Sequence, residues 1–372
     1  MKGIRRALGL LDRRKRRAFR RRLAARRRRK RFGDKPVVAV TGSVGKTTTK
    51  DMIAVACAAG RRTTANERSF NNDQGLPVTI LNAPDDTEVL VLEMGMRGFG
   101  HIARLCEVAR PDIGVVTVVG HAHTDLVGGL DGVAGAKGEL VEALPASGAA
   151  ILNADDDRVA AMAARTGASV VTFGWAGAVR PADIELDDRA RARFVVHSPW
   201  GRAEVTLPVP GMHMVSNALA ALAVAGTVGV DLDAAAAALA EVSVSGMRME
   251  VLVASSGATI INDAYNANPT SMAAALDALA EIHAERRIAV LGLMAEIEDP
   301  EQAHRAIAAH ADDLGIELVA VGTELYGVEP VDDVRSAAGQ LGPRDAVLVK
   351  ASRSAGLERV VVELQHGGER QG

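Results

Sequence analysis

The chain has 372 residues, of which 48% are hydrophobic and 24% are charged, and its formal net charge is only −2. This length predicts two or three domains, and the apolar fraction is sufficient for packed cores. No apolar run reaches the ~18 residues of a membrane span, and the N-terminus lacks the apolar core of about 7–15 residues that a signal peptide needs. We therefore expect a soluble, cytoplasmic protein, in which Cys57 and Cys106 are small core residues of a reducing compartment.

The near-neutral total hides a basic arm, residues 1–35, on an acidic body. The arm holds 18 Lys and Arg against two Asp, a net charge of +16, so the rest of the chain carries −18. Wound as a helix, the arm would gather most of its apolar side chains on one side: Ile4, Leu8, Leu11, Phe19 and, at the edge, Leu23. This pattern is typical of a basic helix on anionic lipid, on nucleic acid or on an acidic partner, and a solvated, disordered arm stays open as well.

After Pro36 the pattern alternates between apolar strands and helices. It predicts strands at 37–41, 88–93, 112–118, 148–152 and 168–173, with helices at 46–59, 98–109, 131–144 and 156–165. The strand runs Val89–Leu92 and Ile113–Val118 are nearly all apolar, which indicates burial on both faces and hence a largely parallel sheet. A short antiparallel excursion over 182–207 and Ala-rich helices at 214–228 and 232–241 follow.

Beyond about Glu250 a second alternation begins. It predicts strands at 258–262, 287–292, 317–321 and 345–349, and helices at 270–281, 301–314, 332–339 and 354–364. The fold class is therefore α/β. We predict a central domain with a mostly parallel sheet over 36–249, and a smaller, doubly wound, Rossmann-like domain over 250–372.

The most informative stretch joins the first strand to the next helix, and it contains Gly42, Ser43, Val44, Gly45, Lys46, Thr47 and Thr48. A strand that ends in a glycine-framed turn, followed by Lys-Thr at a helix start, predicts a phosphate-binding loop. Backbone N–H groups and the helix N-terminus would hold the phosphates, Lys46 would add a positive charge, and the Thr47 hydroxyl would bind Mg²⁺. The loop is shorter than the common pattern, because Gly45 follows Gly42 by three positions rather than five.

Three further polar side chains follow strands or lie just downstream of them. Glu93 ends an apolar strand, in the position of a second metal-binding acid at the carboxyl edge of the sheet. His121 and His123 follow the next strand, and beside the loop and Glu93 one of them is a candidate metal ligand. Spacing alone predicts that Lys137 is a solvated helix residue.

Nine ordered motifs resemble those of the Mur ligases, the amide-forming synthetases of peptidoglycan assembly, and in particular their MurF branch. The resemblance covers about residues 36–365. After the phosphate loop the motifs are Asn71-Asn72-Asp73-Gln74-Gly75-Leu76-Pro77, Ala122-His123-Thr124-Asp125, Ala136-Lys137-Gly138-Glu139, Asn153-Ala154-Asp155-Asp156, Pro210-Gly211-Met212-His213 with Asn217-Ala218-Leu219-Ala220, Met247-Arg248-Met249-Glu250, the run from Asp263 to Met272, and Lys350-Ala351-Ser352-Arg353-Ser354.

The resemblance implies an ADP-forming ligation, in which ATP phosphorylates a carboxylate, an amine attacks the acyl phosphate, and phosphate leaves. Addition of D-alanyl-D-alanine to a muramyl tripeptide precursor is the default reaction. Lys46 and Thr47 would hold the phosphates and a first Mg²⁺ that Glu93 also binds, and His123 would bind a second Mg²⁺. Lys137 would be carbamylated, because a carbamate is an anion that can hold this second ion and an ammonium is not.

The remaining roles also follow from the resemblance. Asn217 would face the adenine, Arg248 the γ-phosphate and Asp263 the ribose, with Lys46, His123, Lys137 and Arg248 as the catalytic set. The residues assigned to substrate binding are Asn71, Asn72, Tyr265, Asn266, Asn268, Lys350, Ser352 and Arg353. We expect the last three to reach substrate when the domains close, which also keeps water from the acyl phosphate.

Two departures from the MurF pattern concern the substrate. MurF enzymes carry an N-terminal domain that grips the uridine nucleotide, and here the basic arm stands in its place, where it can act only through charge. Leu293 occupies a position where MurF-type sequences usually have Asp. These departures leave open a ligase acting on another acid, in specialised metabolism or on a carrier, and a catalytically silent nucleotide-binding protein.

The alternatives differ in what they require of the metal set. Thr47, Glu93, His123 and Lys137 are all present, which favours the enzyme, and the chain has no Asn-Lys-x-Asp signature of a GTPase. We expect small-molecule acid and amino-acid or dipeptide substrates, no specific nucleic acid and a monomer. The basic arm leaves open an association with an anionic membrane surface or an acidic partner.

Overall fold

The computed structural model describes residues 13–67, 70–121 and 124–366 of the chain. Part of the basic arm forms helix α1 (Arg13–Arg31), which contains 14 Lys and Arg and no acidic residue. The repulsion between so many like charges opposes helix formation in this sequence. Packing against the rest of the protein must therefore stabilise the helix. Ala24 and Phe32 are fully buried in the core on one face of the central sheet. The positions Ile4, Leu8 and Leu11 lie outside the described residues.

Arg28 anchors the C-terminal half of α1 to the central domain. Its side chain is only 5% exposed and forms an ion pair of 2.8 Å with Asp112. It also donates to the carbonyl oxygens of Ala109, at 2.9 Å, and Phe32. Asp112 in turn accepts a hydrogen bond of 2.9 Å from the backbone N–H of Val37, where the first strand begins. The C-terminal end of the helix is therefore linked to the start of the strand that begins at Val37, in the interior of the central sheet.

The central domain is built on a six-stranded, all-parallel sheet with the order β2-β3-β1-β4-β5-β6. Its strands are β1 (Val37–Thr41), β2 (Thr63–Ala65), β3 (Val89–Glu93), β4 (Ile113–Val116), β5 (Ala149–Asn153) and β6 (Ser169–Phe173). Its helices are α2 (Lys46–Ala58), α3 (Gly75–Asn82), α4 (His101–Ala109), α5 (Thr124–Val127), α6 (Gly129–Glu142) and α7 (Asp157–Ala160).

Both faces of this sheet are covered, as its apolar strands predict. Val38 and Val40 of β1 point into one core, and Val37 and Ala39 point into the other. An antiparallel sheet of β7 (Arg180–Leu186), β8 (Arg191–Ser198) and β9 (Gly201–Pro210) completes the domain, with helices α8 (His213–Thr227) and α9 (Leu232–Leu239).

The C-terminal domain has a five-stranded sheet with the order β10-β11-β14-β12-β13, parallel except for the edge strand β10. Its strands are β10 (Glu250–Val253), β11 (Thr259–Asp263), β12 (Arg286–Leu291), β13 (Glu317–Ala320) and β14 (Asp345–Lys350). Its helices are α10 (Pro269–Glu281), α11 (Pro300–Asp313), α12 (Val334–Ala338) and α13 (Glu358–Gln365). One continuous apolar core runs from the central domain into this one.

Several elements differ from the sequence expectations. The predicted single helix over 156–165 is wrong, because α7 stops at Ala160 and a 3-10 helix continues to Arg165. The helix predicted from residue 354 begins at Glu358, since Gly356 adopts a left-handed φ of 65° that ends a preceding 3-10 turn. Strands β2 and β10 and helix α3 were not predicted; β2 and β10 have only three and four residues.

In the described part of the chain, every helix is too short or too polar to cross a bilayer.

Candidate active site

A single cavity of about 840 Å³ is lined by both domains and by helix α1. The central domain contributes the loop between β1 and α2, the end of β3, and the start of α4. The C-terminal side contributes Arg248, Tyr265 and Lys350, and α1 contributes Arg17 and Arg21. Its volume lies in the range of about 300–1,000 Å³ that small-molecule sites occupy.

The loop between β1 and α2 requires glycine at two positions. Gly42 has a φ of 153° and Gly45 a left-handed φ of 81°. A Cβ added to Gly42 would lie 1.8 Å from Oγ1 of Thr117, and one on Gly45 would lie 2.7 Å from Oδ1 of Asn217. Neither position has room for a side chain. The predicted roles of Ser43, Val44 and Thr48 rest on the same loop, which lines the cavity.

The shape of this loop is fixed by contacts with the segment after β4. Ser43 Oγ donates a hydrogen bond of 2.9 Å to the carbonyl of Gly120, and Thr117 Oγ1 donates one of 2.6 Å to the carbonyl of Val44. Backbone N–H groups at the start of α2 are thereby held in place before any phosphate binds, which lowers the cost of ordering the site.

Lys46 bends back over the loop. Its Nζ donates to the carbonyl oxygens of Gly42, at 2.8 Å, and Ser43, at 3.1 Å. Burial is the main cause that lowers the pKa of Lys46, and nearby Arg248 lowers it further while Glu93 opposes both. The proximity of Arg248 matters for function, because the cation of the loop and a cation at the start of the C-terminal domain line the same cavity.

Thr47, Asn71 and Glu93 form a polar cluster beside Lys46. Register places Glu93 next to Val40 of β1, so the end of β3 lies against the loop. Thr47 Oγ1 donates to Glu93 Oε2 at 2.7 Å, and Asn71 Nδ2 donates to Oε1 at 2.7 Å. Glu93 is only 1% exposed. A hydroxyl and a carboxylate are hard oxygen ligands that suit Mg²⁺, and with the phosphate loop this cluster fits a magnesium nucleotide.

Lys137 lies in helix α6 and is only 2% exposed, so the spacing-based expectation of a solvated residue is wrong. Burial, and secondarily the charge of Lys46, lower the pKa of Lys137 well below its usual 10.5. Among the described residues, none accepts a hydrogen bond or forms an ion pair with its amine. Glu139, two residues further along α6, instead accepts hydrogen bonds from the N–H groups of Gly100, at 2.5 Å, and Ala103, at 3.0 Å, and so caps α4.

The other proposed metal ligand, His123, lies outside the described residues.

The residues assigned to the nucleoside and the γ-phosphate line the opposite part of the same cavity. Asn217 on α8 accepts a hydrogen bond of 3.0 Å from Thr49 of α2, which places its amide beside the loop. The Arg248 guanidinium stacks over the Tyr265 ring, 4.1 Å from the ring centre. This contact orients a cation toward the cavity, since a cation is attracted to the face of an aromatic ring.

Asp263 and Lys350 form a buried pair at the carboxyl ends of β11 and β14. Lys350 donates to Asp263 and, at 3.0 Å, to the carbonyl of Asn266. Asp263 also accepts a hydrogen bond of 3.2 Å from the N–H of Met249. Lys350 is only 2% exposed, so in this arrangement its charge is used to hold Asp263 and the 263–266 segment.

The other predicted substrate residues divide into two groups. Asn72, Asn266 and Asn268 line the cavity, although Asn72 caps α3 through Gln74 and Gly75, and Asn268 forms a capping box at the start of α10. Ser352 and Arg353 do not line it: Ser352 accepts the N–H of Ala295 at 2.8 Å, and Arg353 pairs with Glu358 at 3.2 Å.

The residues that line the cavity include several that the sequence reasoning missed, among them three with ionisable side chains: His213, Arg17 and Arg21. His213 starts α8 and faces Asp263 and Lys350, and burial lowers its pKa to about 4, which leaves a neutral imidazole at pH 7. The signal for it was its place in the Pro210–His213 motif. Arg17 and Arg21 also line the cavity, and nothing in so uniform an arginine run distinguishes them.

The comparisons with known proteins extend over both domains. The family model described as "Mur ligase middle domain" matches residues 40–225, and the one described as "Mur ligase, glutamate ligase domain" matches residues 247–368. The UDP-N-acetylmuramoyl-tripeptide–D-alanyl-D-alanine ligase of Mycobacterium tuberculosis is 43% identical over 374 residues, which cover 88% of this chain and 72% of that protein. The protein of the same name from Bacillus subtilis is 34% identical, and the match covers 88% and 75%.

Solved structures resemble the fold to a similar extent. MurF from Acinetobacter baumannii has a TM-score of 0.87 at 29% identity, with 94% of this chain and 80% of that chain covered. MurF from Thermotoga maritima, solved in complex with ADP, has a TM-score of 0.84 at 27% identity, with 94% and 83% covered. The α/β fold class predicted from the sequence is thereby confirmed.

Proposed function

This chain belongs to the Mur ligase family, and we propose that it joins D-alanyl-D-alanine to the terminal carboxylate of a muramyl tripeptide precursor. The sequence prediction of an ATP-dependent, ADP-forming carbon–nitrogen ligase of the MurF type, which uses ATP and Mg²⁺, is confirmed by the relatives. One observation carries the assignment to this cavity: the phosphate loop, Glu93 and Arg248 line the same space.

The reaction brings two anions together, and the cavity supplies the opposite charge. The carboxylate oxygen of the acid attacks the γ-phosphorus of ATP, the bond to the β,γ-bridging oxygen breaks, and ADP leaves. Lys46 and Arg248 neutralise charge that grows on the transferred phosphoryl group. Mg²⁺ held by Thr47 and Glu93 would supply further positive charge at the phosphates.

The second half of the reaction needs a dry cavity. The amine of D-alanyl-D-alanine attacks the acyl carbon, the carbon–oxygen bond to phosphate breaks, and the ammonium proton is released. Water would compete with the amine for the acyl phosphate. Because residues of both domains line the cavity, and Arg97 forms an ion pair of 3.6 Å with Glu296 across the domains, closure at this interface would exclude water.

The test is ADP release with Mg²⁺-ATP, D-alanyl-D-alanine and a UDP-linked muramyl tripeptide, with omission of each substrate in turn. ADP should form only when acid and amine are both present. Lys46→Ala should lower kcat by about 10²–10³-fold, the scale of one lost electrostatic group. Lys30→Ala, an exposed lysine of α1, is the matched control. Wild-type turnover by Lys46→Ala would refute the assigned site.

We also propose that Lys137 carries a carbamate, which with His123 binds a second Mg²⁺. A neutral amine attacks CO₂ and loses a proton to give the carbamate anion, and burial, which lowers the pKa of Lys137, favours that neutral amine. Lys137→Ala should be nearly inactive and should be partly rescued by added acetate, which replaces the missing anion. Rescue by a neutral additive of similar size, without rescue by acetate, would instead point to a packing defect.

We propose that the protein is a monomer in the cytoplasm. We also propose that the outward-facing arginines of α1 bind an anionic membrane surface or an acidic partner. Arg22, Arg26 and Arg29 are exposed on this outer face. Binding to vesicles that contain anionic lipid should fall steeply with salt, because charge screening shortens from about 10 Å at 0.1 M to about 3 Å at 1 M. Binding that is unchanged between these salt concentrations would exclude this role.

A further inference from the structure

One stripe of helix α1 packs against the central domain in its C-terminal half and lines the cavity in its N-terminal half, where Arg17 is exposed and Arg21 is half-buried. Residues at positions 17, 21, 24 and 28 lie three or four apart, so they share one face of the helix. In the C-terminal half of the stripe, Ala24 and Arg28 are buried against the domain, with exposures of 0% and 4%. In the N-terminal half, Arg17 and Arg21 line the active-site cavity instead. The packing of the C-terminal half therefore sets the orientation of the helix and directs Arg17 and Arg21 toward the cavity.

These arginines add to an excess of positive charge in the cavity. Apart from the buried Lys137, seven Lys or Arg and four Asp or Glu are among the described residues that line it. Three of the four acids already have partners: Glu93 accepts from Thr47 and Asn71, Asp263 accepts from Lys350, and Glu296 forms an ion pair with Arg97. Lys46 and Arg248 are the cations assigned to the nucleotide. Lys46 belongs to the phosphate loop and Arg248 to the junction of the two domains, so neither is part of α1.

A second cluster of cations is left for another anion. Arg17 and Arg21 of α1 and Arg104 of α4 line the cavity, and none of the three makes a hydrogen bond or an ion pair through its side chain within the described ranges. Helices α1 and α4 pack against each other, so their cavity-facing arginines approach from neighbouring elements. Arginines at i and i+4 repel each other, and an anion bound between them would offset this repulsion.

We propose that Arg17, Arg21 and Arg104 form a binding site for the diphosphate of the acid substrate. This inference rests on the proposed function, because it identifies the group through which that substrate is held in the same cavity. Arginine suits the task, since its planar guanidinium donates two parallel hydrogen bonds to phosphate oxygens. Side chains four residues apart on a helix start about 5–6 Å apart, which allows each guanidinium to bind its own phosphate of the pair.

The required substrate is thus an acid that carries a diphosphate at the end remote from its reacting carboxylate. A nucleoside diphosphate and a lipid diphosphate share this chemistry. The cavity arginines recognise the shared group, and the rest of the carrier decides between the two sources.

The test compares Arg17→Ala/Arg21→Ala with the matched control Arg20→Ala/Lys30→Ala, which removes two positive charges of the same helix that do not line the cavity. Each variant is assayed with three acids: the UDP-linked tripeptide, a polyprenyl-diphosphate-linked tripeptide in detergent, and the muramyl tripeptide without any phosphate. The variant Arg17→Ala/Arg21→Ala, the cavity pair, should raise KM for the preferred diphosphate acid by at least about tenfold, since hydrogen bonds to a charged group are lost. Its kcat should stay within about twofold of the wild-type value. KM for the phosphate-free acid should not change, and the control should match wild type throughout.

A binding readout separates failure of this site from failure of the proposed function. Methylenediphosphonate is titrated by calorimetry into the full chain saturated with Mg²⁺ and a non-hydrolysable ATP analogue, so that the phosphate loop is already occupied. Its affinity should fall by about tenfold or more in the cavity pair and stay unchanged in the control. If no acid supports ligation but this difference persists, the diphosphate site stands and the assigned reaction fails.

Other outcomes overturn the inference. Equal KM increases for phosphate-containing and phosphate-free acids would show that the two arginines act through packing, and a lowered melting temperature of the cavity pair would agree with that. A loss confined to the affinity for ATP would assign the arginines to the nucleotide. No change for any acid, with ligation intact, would leave the diphosphate bound elsewhere.

Discussion

Replacing Lys137 by methionine should abolish ligation and at the same time raise the thermal stability of the protein at neutral pH. Lys137 is only 2% exposed, and no described residue forms an ion pair with its amine. Burial and the nearby charge of Lys46 lower its pKa well below 10.5. Methionine has a similar length and volume but no ionisable group. The substitution therefore removes the free-energy cost of burying the lysine amine in the folded state.

The size of this gain follows from the burial of the amine. Replacing buried charged groups by apolar residues of similar volume is commonly neutral or stabilising by about 1–4 kcal/mol, so we expect a gain of about 1–3 kcal/mol at pH 7.5. In domains of this size that corresponds to a rise of several degrees in the melting temperature. Lys30→Met, at an exposed position of α1, should leave the melting temperature unchanged.

The dependence on pH has a definite sign. Between the lowered pKa of the folded state and 10.5, the unfolded chain binds a proton at Lys137 that the folded chain does not bind. The free energy of unfolding of the wild type therefore rises with pH over this interval. The advantage of Lys137→Met should be greatest near neutral pH and should disappear as the pH approaches 10.5.

The assay is thermal unfolding in CO₂-free buffer at several pH values, followed by addition of ¹³C-bicarbonate. A carbamate carbon resonance should grow in the wild type and be absent from Lys137→Met. A melting temperature of Lys137→Met below that of wild type at pH 7.5, or a gain that persists unchanged to pH 10, would refute the reasoning, because Lys137 would then not be buried as a neutral amine.

Two further predictions follow from the loop and from the helix anchor. Gly42→Ala should abolish ATP binding in a fluorescence titration, because its Cβ would lie 1.8 Å from Thr117 Oγ1; Gly42→Ala/Thr117→Ala should restore part of it, and no restoration would locate the strain in the φ of 153° instead. Arg28→Ala should lower the free energy of unfolding by about 2–4 kcal/mol, because it leaves the contacts with Asp112 and Ala109 unmade. The exposed neighbour Arg29→Ala is the control, and equal melting temperatures of the two variants would show that α1 is not anchored by this contact.

The parts of the fold that sequence could predict are those in which local pattern and tertiary burial agree. The strand 37–41 was predicted with its exact bounds, because an uninterrupted β-branched run is needed on both faces of a parallel sheet. The phosphate loop was predictable for a similar reason, since its chemistry lies within consecutive residues. Helix α3 was not, because Gly75 and Pro77 argue against a helix, whose start instead depends on the Asn72 side chain.

Residues whose role depends on distant partners could not be placed in the same way. The helical spacing around Lys137 predicts a solvent-exposed side chain, yet Lys137 is buried at the wall of the cavity. Only the resemblance indicated a function for this residue. Lys350 and Ser352 were assigned to substrate from their motif. In the structure Lys350 holds Asp263 and Ser352 holds the segment at Ala295, contacts that span 87 and 57 residues of chain.

Helix α1 shows why a pattern search fails when charge faces inward. Amphipathicity predicts that the apolar side of a surface helix faces the protein, which for this arm places Phe19 against the body. Phe19 is instead 39% exposed, and the inward stripe is made of arginines with a single alanine. An inward arginine is stable where a carboxylate or carbonyl receives it, as Asp112 and Ala109 receive Arg28. Arg17, which is exposed, and Arg21, which is half-buried, continue the stripe into the cavity without such a partner, which leaves them available to the diphosphate that we propose they bind.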